Sequence, residues 1–192
     1  KGFSPVSPGQ ASDTRSETST NYETGIRIKQ PWLEGEVVGF LNEYENLTGT
    51  CTQSSGCNPD NIDTQFNAGE ARILGIESML RTAFSLGGGV QSQVRGTYTY
   101  TNAQFKTSFQ SGFSQWGDVS KGDRFSYVPE HQLSGGIGLK RTIFDLDIAA
   151  TYVSEMRDIA GQGSVANEYR IPAHTVVDIT GGVTPRKGTR LY

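Results

Sequence analysis

The sequence contains no long apolar run, and nothing in it approaches the roughly 18 consecutive apolar residues that a membrane-spanning helix requires. Hydrophobic residues make up only 34% of the chain. Apolar residues at helical spacing are interrupted throughout by β-branched side chains or by some of the 24 glycines, which excludes a helical bundle. These absences favour an all-β chain. They do not exclude a membrane, because a transmembrane strand needs only about 10 alternating residues.

The charge balance and the scarcity of histidine exclude several functions. The formal net charge is −3 with both signs scattered, which does not suit a nucleic-acid partner. His131 and His174 each precede a predicted strand and have no serine or cysteine at a catalytic spacing, so we interpret them as strand-end residues. The glycines at 87–89 form a hairpin turn and not a phosphate-binding loop, because no helix follows. No enzyme and no cofactor are predicted.

The two cysteines, Cys51 and Cys57, lie in a long polar stretch at 48–67. In an oxidising compartment such a pair predicts a disulfide that closes a small loop. A metal pair is the alternative, although no histidine or second cysteine pair lies near enough to complete a site. The acidic cluster at 58–63 lacks the spacing and the terminal glutamate of a calcium loop, and it is interpreted as solvated loop acids.

What the sequence does contain is strict alternation of apolar and polar side chains. The clearest example is the pair of segments at 131–140 and 144–152. One face carries His131, Leu133, Gly135, Ile137 and Leu139, then Phe144, Leu146, Ile148, Ala150 and Tyr152. The other face is polar or very small. A period of two over this length predicts β-strands with one apolar side.

The same pattern predicts seven strands and the start of an eighth. They cover 21–29, 33–47, 73–84, 90–101, 131–140, 144–152, 175–183 and 189–192. The faces of the second strand are left unassigned, because Val37 and Leu41 occupy one register and Val38, Phe40 and Tyr44 the other. The connections alternate between tight turns and loops of roughly 15 to 27 residues, as in a transmembrane β-barrel. A soluble β-sandwich would share the alternation but not this segregation of loop lengths.

The chemistry of the two faces agrees with a membrane barrel. Charged strand residues lie almost entirely opposite the aliphatic face: Glu23, Arg27, Glu77, Arg81, Arg95, Asp145 and Asp147. A lysine or arginine facing lipid at mid-membrane would cost about 2 to 4 kcal/mol. Tyrosines on the apolar face near the loop ends predict an aromatic girdle: Tyr22, Tyr98, Tyr100 and Tyr152.

Several short motifs occur in a fixed order along the chain. They are KGFSP at 1–5, ETSTNYETGIR at 17–27, NAGEA at 67–71, GIE at 75–77, GDR at 122–124, YVPEH at 127–131 and IPAH at 171–174. Through them the chain resembles the C-terminal part of the β-barrel of TonB-dependent outer-membrane receptors. The resemblance is strongest to receptors for ferric citrate and related ferric siderophores.

The resemblance implies a bacterial outer-membrane receptor that takes up a ferric chelate with energy from the TonB-ExbB-ExbD complex. Residues 1–192 would be an antiparallel segment of a barrel of about 22 strands. We expect the plug domain, the TonB-binding segment and the terminal strands to lie outside this sequence. Lipid and the ferric chelate are the other expected partners, and the chelate is cargo rather than a cofactor. The alternatives are a passive porin or other outer-membrane barrel, and TonB-dependent uptake of cobalamin or a carbohydrate.

An anionic chelate would need cations and stacking surfaces in the loops, because charge-assisted hydrogen bonds to carboxylates are strong. The candidate ligand-binding residues are Arg15, Trp116, Lys121, Arg124, Tyr127 and Arg157. Each of the charged candidates could equally be an ordinary solvated loop residue.

Overall fold

The computed structural model describes residues 15–50, 65–111, 116–186 and 188–192. In chain order the strands are β1 (Thr18–Gln30), β2 (Leu33–Glu45), β3 (Thr48–Thr50), β4 (Gln65–Asn67), β5 (Ala71–Gly87), β6 (Val90–Phe105), β7 (Phe109–Gln110), β8 (Asp118–Val119), β9 (His131–Arg141), β10 (Phe144–Val153), β11 (Met156–Arg157), β12 (Arg170–Ile171), β13 (His174–Arg186) and β14 (Thr189–Leu191). One turn of 3-10 helix covers Asn167–Tyr169. Among the described residues, no helix has the length and apolar character needed to span a bilayer.

Eight of the strands form a single antiparallel sheet in the order β1-β2-β5-β6-β9-β10-β13-β14. Each strand of the sheet pairs with the next long strand in the sequence, so the sheet is a continuous meander. The three remaining pairs, β3 with β4, β7 with β8 and β11 with β12, are two-stranded and lie in the connections. The predicted all-β antiparallel segment of seven to eight strands is confirmed.

The register of the sheet sorts the side chains into two faces. Ile26 pairs with Val37, Val37 with Ser78, Ser78 with Tyr98 and Tyr98 with Leu133. Directly opposed residues share a face, so the apolar positions of neighbouring strands form one continuous apolar surface. The alternation predicted from the sequence is therefore maintained from β1 to β13.

The register also assigns the faces of β2, which the sequence left open. Val37 lies opposite Ile26, so the odd-numbered residues of β2 belong to the apolar face. Phe40 therefore lies on the polar face, above Gly75 of the neighbouring strand. A Cβ at Gly75 would come within 2.6 Å of Cζ of Phe40. The glycine provides the space that lets a large aromatic ring lie among polar residues.

The two ends of the sheet differ, as predicted. At one end, the turn end, short turns at 31–32, 88–89 and 142–143 join the strands. At the other end, the loop end, lie the connections between β2 and β5, between β6 and β9, and between β10 and β13. Gly88 and Gly89 have φ of 58° and 76°, which an L side chain adopts only with strain. The hairpin of β5 and β6 extends further toward the loops than predicted, since Phe105 pairs with Ala71.

Candidate functional site

The buried apolar side chains of the described residues gather at the loop end of β5 and β6. They are Ala68, Ala71, Ala103, Phe105 and Val119. Phe105 is fully buried, with its ring centroid 4.2 Å from that of Phe125 and 5.2 Å from those of Phe109 and Trp116. Aromatic rings at these separations stabilise one another beyond simple burial. The packed apolar core of the described residues therefore lies at the loop end of the sheet, beneath the loops.

Backbone hydrogen bonds fasten the connection between β6 and β9 to this core. The Gly122 amide donates to Phe105 O at 2.8 Å, and the Phe105 amide donates to Asp123 O at 2.9 Å. The Phe125 amide donates to Ala103 O at 3.1 Å. The described part of this connection thus folds back along the end of β6 instead of extending away from it.

The connection between β10 and β13 packs onto the first one. The Arg124 amide donates to Gly161 O at 2.9 Å, and the Tyr127 amide donates to Arg157 O at 2.8 Å. The side chain of Gln162 reaches Asp123 Oδ1 at 3.0 Å and Lys121 O at 3.1 Å. We call the body formed by 103–111, 116–130 and 154–171 the loop platform. It holds two connections that are distant in sequence in one arrangement.

Arg157 is a buried cation of the loop platform. The residue is 8% exposed, and its Nη2 donates to Gly163 O at 2.9 Å. Burial lowers the pKa of its guanidinium, and the positive charge of Arg124 lowers it further, while Asp123 and Glu130 oppose the shift. A Cβ at Gly161 would lie 2.7 Å from Nη1 of Arg157, so this glycine makes room for the guanidinium. The geometry gives Arg157 a role in organising the loops.

The platform also carries exposed groups. Arg124 forms an ion pair with Glu130 at 2.6 Å and remains partly exposed. Lys121 is exposed, and its amide donates to Ser108 Oγ at 2.9 Å. Tyr127 has φ of 58° and is 51% exposed, so a left-handed backbone directs a large aromatic residue outward. Together they present two cations and one aromatic ring at the loop end.

The structure thus brings five of the six predicted ligand-binding residues into one body. Trp116, Lys121, Arg124, Tyr127 and Arg157 all belong to the loop platform. Arg15, the sixth, lies just before the edge strand β1. Their role in binding a ligand stays a prediction, and the geometry separates the exposed Lys121 and Tyr127 from the buried Arg157.

Two predictions fall on other parts of the chain. Cys51 and Cys57 lie outside the described residues, so their disulfide stays a prediction, as does the interpretation of the acids at 58–63. Among the residues that the structure describes, no three histidine, cysteine, aspartate or glutamate side chains converge to hold a metal ion.

The polar face of the sheet carries an ion pair that spans three strands. Arg95 of β6 donates from Nη1 and Nη2 to the two carboxylate oxygens of Asp147 of β10, at 2.8 and 2.6 Å. The intervening strand β9 presents Gly136 and Gly138 at this point. A Cβ at Gly136 would lie 2.9 Å from Cζ of Arg95, and one at Gly138 would lie 3.1 Å from Asp147 Oδ2. Two glycines therefore allow the guanidinium to cross a whole strand.

Two further ion pairs lie on the same face. Arg27 pairs with Glu36 at 2.7 Å, and Arg190 pairs with Asp145 at 2.7 Å. Arg81 lies in register between Glu34 and Arg95, and its side chain forms no hydrogen bond or ion pair with any residue of the described ranges. Charged groups at this density need water or polar partners, so the face is suited to line an aqueous interior.

The sequence alone does not indicate the Arg95–Asp147 pair. The signal that could have indicated it was the succession of glycines on the polar side of β9, between strands that carry opposite charges. Glycine inside a strand often marks close approach by another group. Without the register, however, no pattern connects residues 52 positions apart.

Comparison with known families gives a match over almost the whole chain. The family described as TonB dependent receptor-like, beta-barrel, matches residues 2–192. A comparison with curated protein sequences found no match.

Solved structures share the fold at low sequence identity. The ferric-catecholate import receptor Fiu from K12 E. coli is 18% identical with a TM-score of 0.64, over 96% of this chain and 24% of that one. The siderophore receptor PirA from Acinetobacter baumannii is 16% identical with a TM-score of 0.59, over 89% of this chain and 26% of that one. The copper transporter OprC is 14% identical with a TM-score of 0.63, over 93% and 25%. The chain thus spans about a quarter of these proteins.

Proposed function

Because the chain belongs to the TonB-dependent receptor β-barrel family, we propose that it is part of the wall of a receptor that imports a ferric chelate with energy from TonB. The barrels of this family are outer-membrane proteins, which agrees with the location predicted from the sequence. The family is one of transport receptors and not of enzymes. What we propose beyond family membership is the identity of the cargo, a ferric chelate, and the coupling of its import to TonB.

The observation that carries the proposal is that the loop platform packs at the loop end of β6, where Ala103 and Phe105 lie on the same side of the strand as Arg95. The apolar face of the sheet meets lipid, so the polar face with its ion pairs encloses the interior of the barrel. The loop platform lies at the end of that interior and exposes Lys121, Arg124 and Tyr127. A ferric chelate that carries carboxylates or other anionic oxygens would be bound there by charge-assisted hydrogen bonds and by stacking.

The other predicted residues have supporting roles in this proposal. Trp116 and Phe105 hold the core beneath the loops, and Arg157 fixes the loop that carries Gly161 and Gly163. Arg15 would contact the cargo from the β1 side. The TonB-ExbB-ExbD complex would act through a part of the receptor outside this chain.

Uptake by the full-length parent tests the function directly. The receptor is expressed in iron-starved cells, and accumulation of radiolabelled ferric citrate is compared with TonB present and with TonB deleted. We expect accumulation that requires TonB. Uptake of small solutes down their gradient, with no dependence on TonB and no accumulation of iron, would overturn the proposal and favour a porin.

A substitution at Arg124 tests the site. Arg124→Gln keeps a polar side chain but removes its positive charge, and we expect the affinity for ferric citrate to fall about tenfold or more, since a hydrogen bond to a charged group contributes roughly 1.5 to 3 kcal/mol. Arg141→Gln, at the turn end, is the matched control and should bind as the wild type does. Equal affinities of the two variants would remove Arg124 from the site.

A further inference from the structure

Two arginines lie directly opposite one another on the polar face of the sheet. Arg81 of β5 and Arg95 of β6 are register partners, and like charges directly opposite one another destabilise a sheet. Arg95 is neutralised by Asp147, at 2.6 and 2.8 Å. The exposed side chain of Arg81 has neither an ion pair nor a hydrogen bond within the described part of the chain. Arg81 is therefore the member of this pair that lacks a counter-ion.

The acid closest to Arg81 in the register does not serve it alone. Glu34 of β2 lies opposite Arg81 on one side and opposite Lys29 of β1 on the other. One carboxylate thus faces two cations, and neither of them forms an ion pair with it. This part of the polar face carries more positive than negative charge.

A pocket of about 230 Å³ lies beside the two arginines. Arg81 and Arg95 bound it toward the turn end, and hydroxyl groups bound it toward the loop end, on Thr97, Ser134 and Thr151 of three successive strands. None of the described residues that line it is acidic. Its volume is below the range of about 300 to 1,000 Å³ for drug-sized ligands, so it suits a small anion and not a whole metal chelate.

A larger recess nearer the turn end shows that an unpaired cation alone does not define such a site. Lys140 lines that recess and also forms no ion pair in the described ranges. Two acids, Asp145 and Asp147, line the same recess. Its cations therefore have carboxylates of the sheet beside them, whereas the pocket at Arg81 has none.

The neighbouring ion pair shows which anion a guanidinium binds on this face. Arg95 holds both oxygens of the Asp147 carboxylate, because the fork of a guanidinium matches a planar carboxylate. Arg81 carries the same fork on the adjacent strand. Ser134 Oγ and Thr151 Oγ1 lie 3.1 Å apart, and one of them donates to the other. One hydroxyl hydrogen of this pair is left to donate to an anion.

We propose that this pocket, the inner anion pocket, binds a small organic carboxylate. Arg81 holds both oxygens of one carboxylate group, and Thr97 and the Ser134–Thr151 pair donate to it from the opposite side. A charge-assisted contact of this kind supplies Arg81 with the counter-ion that the sheet does not provide.

The inner anion pocket is separate from the loop platform. Arg95 lies nearer the turn end than Ala103 by about 27 Å along β6, at a rise of roughly 3.4 Å per residue. The proposal depends on the polar face lining an aqueous interior and requires neither iron nor TonB. Failure of the uptake test therefore leaves it standing.

The test measures the binding of iron-free citrate to the full-length receptor in detergent by saturation-transfer NMR, with inorganic phosphate titrated separately. Every receptor carries Arg124→Gln, so that this cation of the loop platform does not contribute. Arg81→Gln removes the charge of the pocket, and Thr97→Val removes a hydroxyl at nearly constant size. Lys140→Gln is the matched control, because it removes a charge from the same face but outside the pocket.

The parent receptor and Lys140→Gln should bind citrate equally, whereas Arg81→Gln should bind it about tenfold more weakly and Thr97→Val about threefold more weakly. Equal citrate affinities of Arg81→Gln and Lys140→Gln would overturn the proposal, and so would phosphate that binds as tightly as citrate. If no receptor bound citrate but Arg81→Gln alone had a lower thermal midpoint, the proposal would also fail. Arg81 would then pair with a carboxylate of the receptor's own polypeptide.

Discussion

Phe105 is the residue on which the loop platform depends most, and its removal should loosen the platform without unfolding the sheet. The ring is fully buried and packs against Phe125, Phe109 and Trp116. Truncation of a buried phenylalanine to alanine costs about 3 to 5 kcal/mol, because both the transfer free energy and the cavity contribute. This loss falls on the loops, since Phe105 is at the extreme loop end of β6.

Amide hydrogen exchange in the full-length receptor measures the effect at the right place. The amides of Gly122 and Phe125 donate to Phe105 O and Ala103 O, and therefore report on the opening of the platform. A loss of 3 to 5 kcal/mol corresponds to exchange that is faster by about a hundredfold to a few thousandfold. The increase in exchange rate has an upper limit, which is reached when the free energy of opening the platform falls to zero.

Phe84→Ala is the matched control for this experiment. Phe84 lies on the apolar face near the turn end and is 44% exposed in the isolated chain. Its loss should leave the exchange of Gly122 and Phe125 unchanged. If these two amides exchange at the same rate in Phe105→Ala and in Phe84→Ala, the aromatic core does not hold the loops and the reasoning fails.

Two further predictions concern glycines of the polar face. Gly75→Ala places a Cβ against the backbone oxygen of Tyr100 and the ring of Phe40. It should lower the stability of the barrel by about 1 to 3 kcal/mol, seen as a lower midpoint of unfolding in guanidinium. Gly39→Ala, on the apolar side of β2, where the nearest contact is 3.9 Å, should have little effect, and equal midpoints would contradict this. Gly136→Val should displace Arg95 from Asp147. When Asp147→Asn is then added to the Gly136→Val variant, the thermal midpoint should not change further. If the two substitutions lower the midpoint additively, the ion pair survives in Gly136→Val and the prediction is wrong.

Much of the fold follows from the sequence because the alternation of side chains is local information. Val94, Tyr98 and Ile148 are assigned to the apolar face by counting residues along their own strands. β2 shows the limit of this method. Val38 and Phe40 interrupt the alternation, and glycines of the two neighbouring strands, Gly25 for Val38 and Gly75 for Phe40, leave room for them on the polar face. The residue pattern of one strand cannot show that a glycine on a neighbouring strand leaves room for a large side chain.

The candidate site was predicted less completely, for a related reason. The sequence identified loop cations and aromatic residues as a class, and the structure groups five of them. It could not separate Arg157 from Lys121, because burial of the first depends on contacts between connections about 30 residues apart. The Arg95–Asp147 pair was missed since it depends on the joint register of three strands.

The most direct test of the account is the environment of the two faces in the full-length receptor. Single cysteines at Val94, Tyr98 and Ile148 should react with a lipid-phase probe in isolated outer membranes. Cysteines at Arg95, Thr97 and Asp147 should react only with a water-soluble probe admitted to the interior. Labelling that is reversed or mixed between the two sets would contradict the assignment of lipid to the apolar face, and with it the barrel wall on which the proposed function rests.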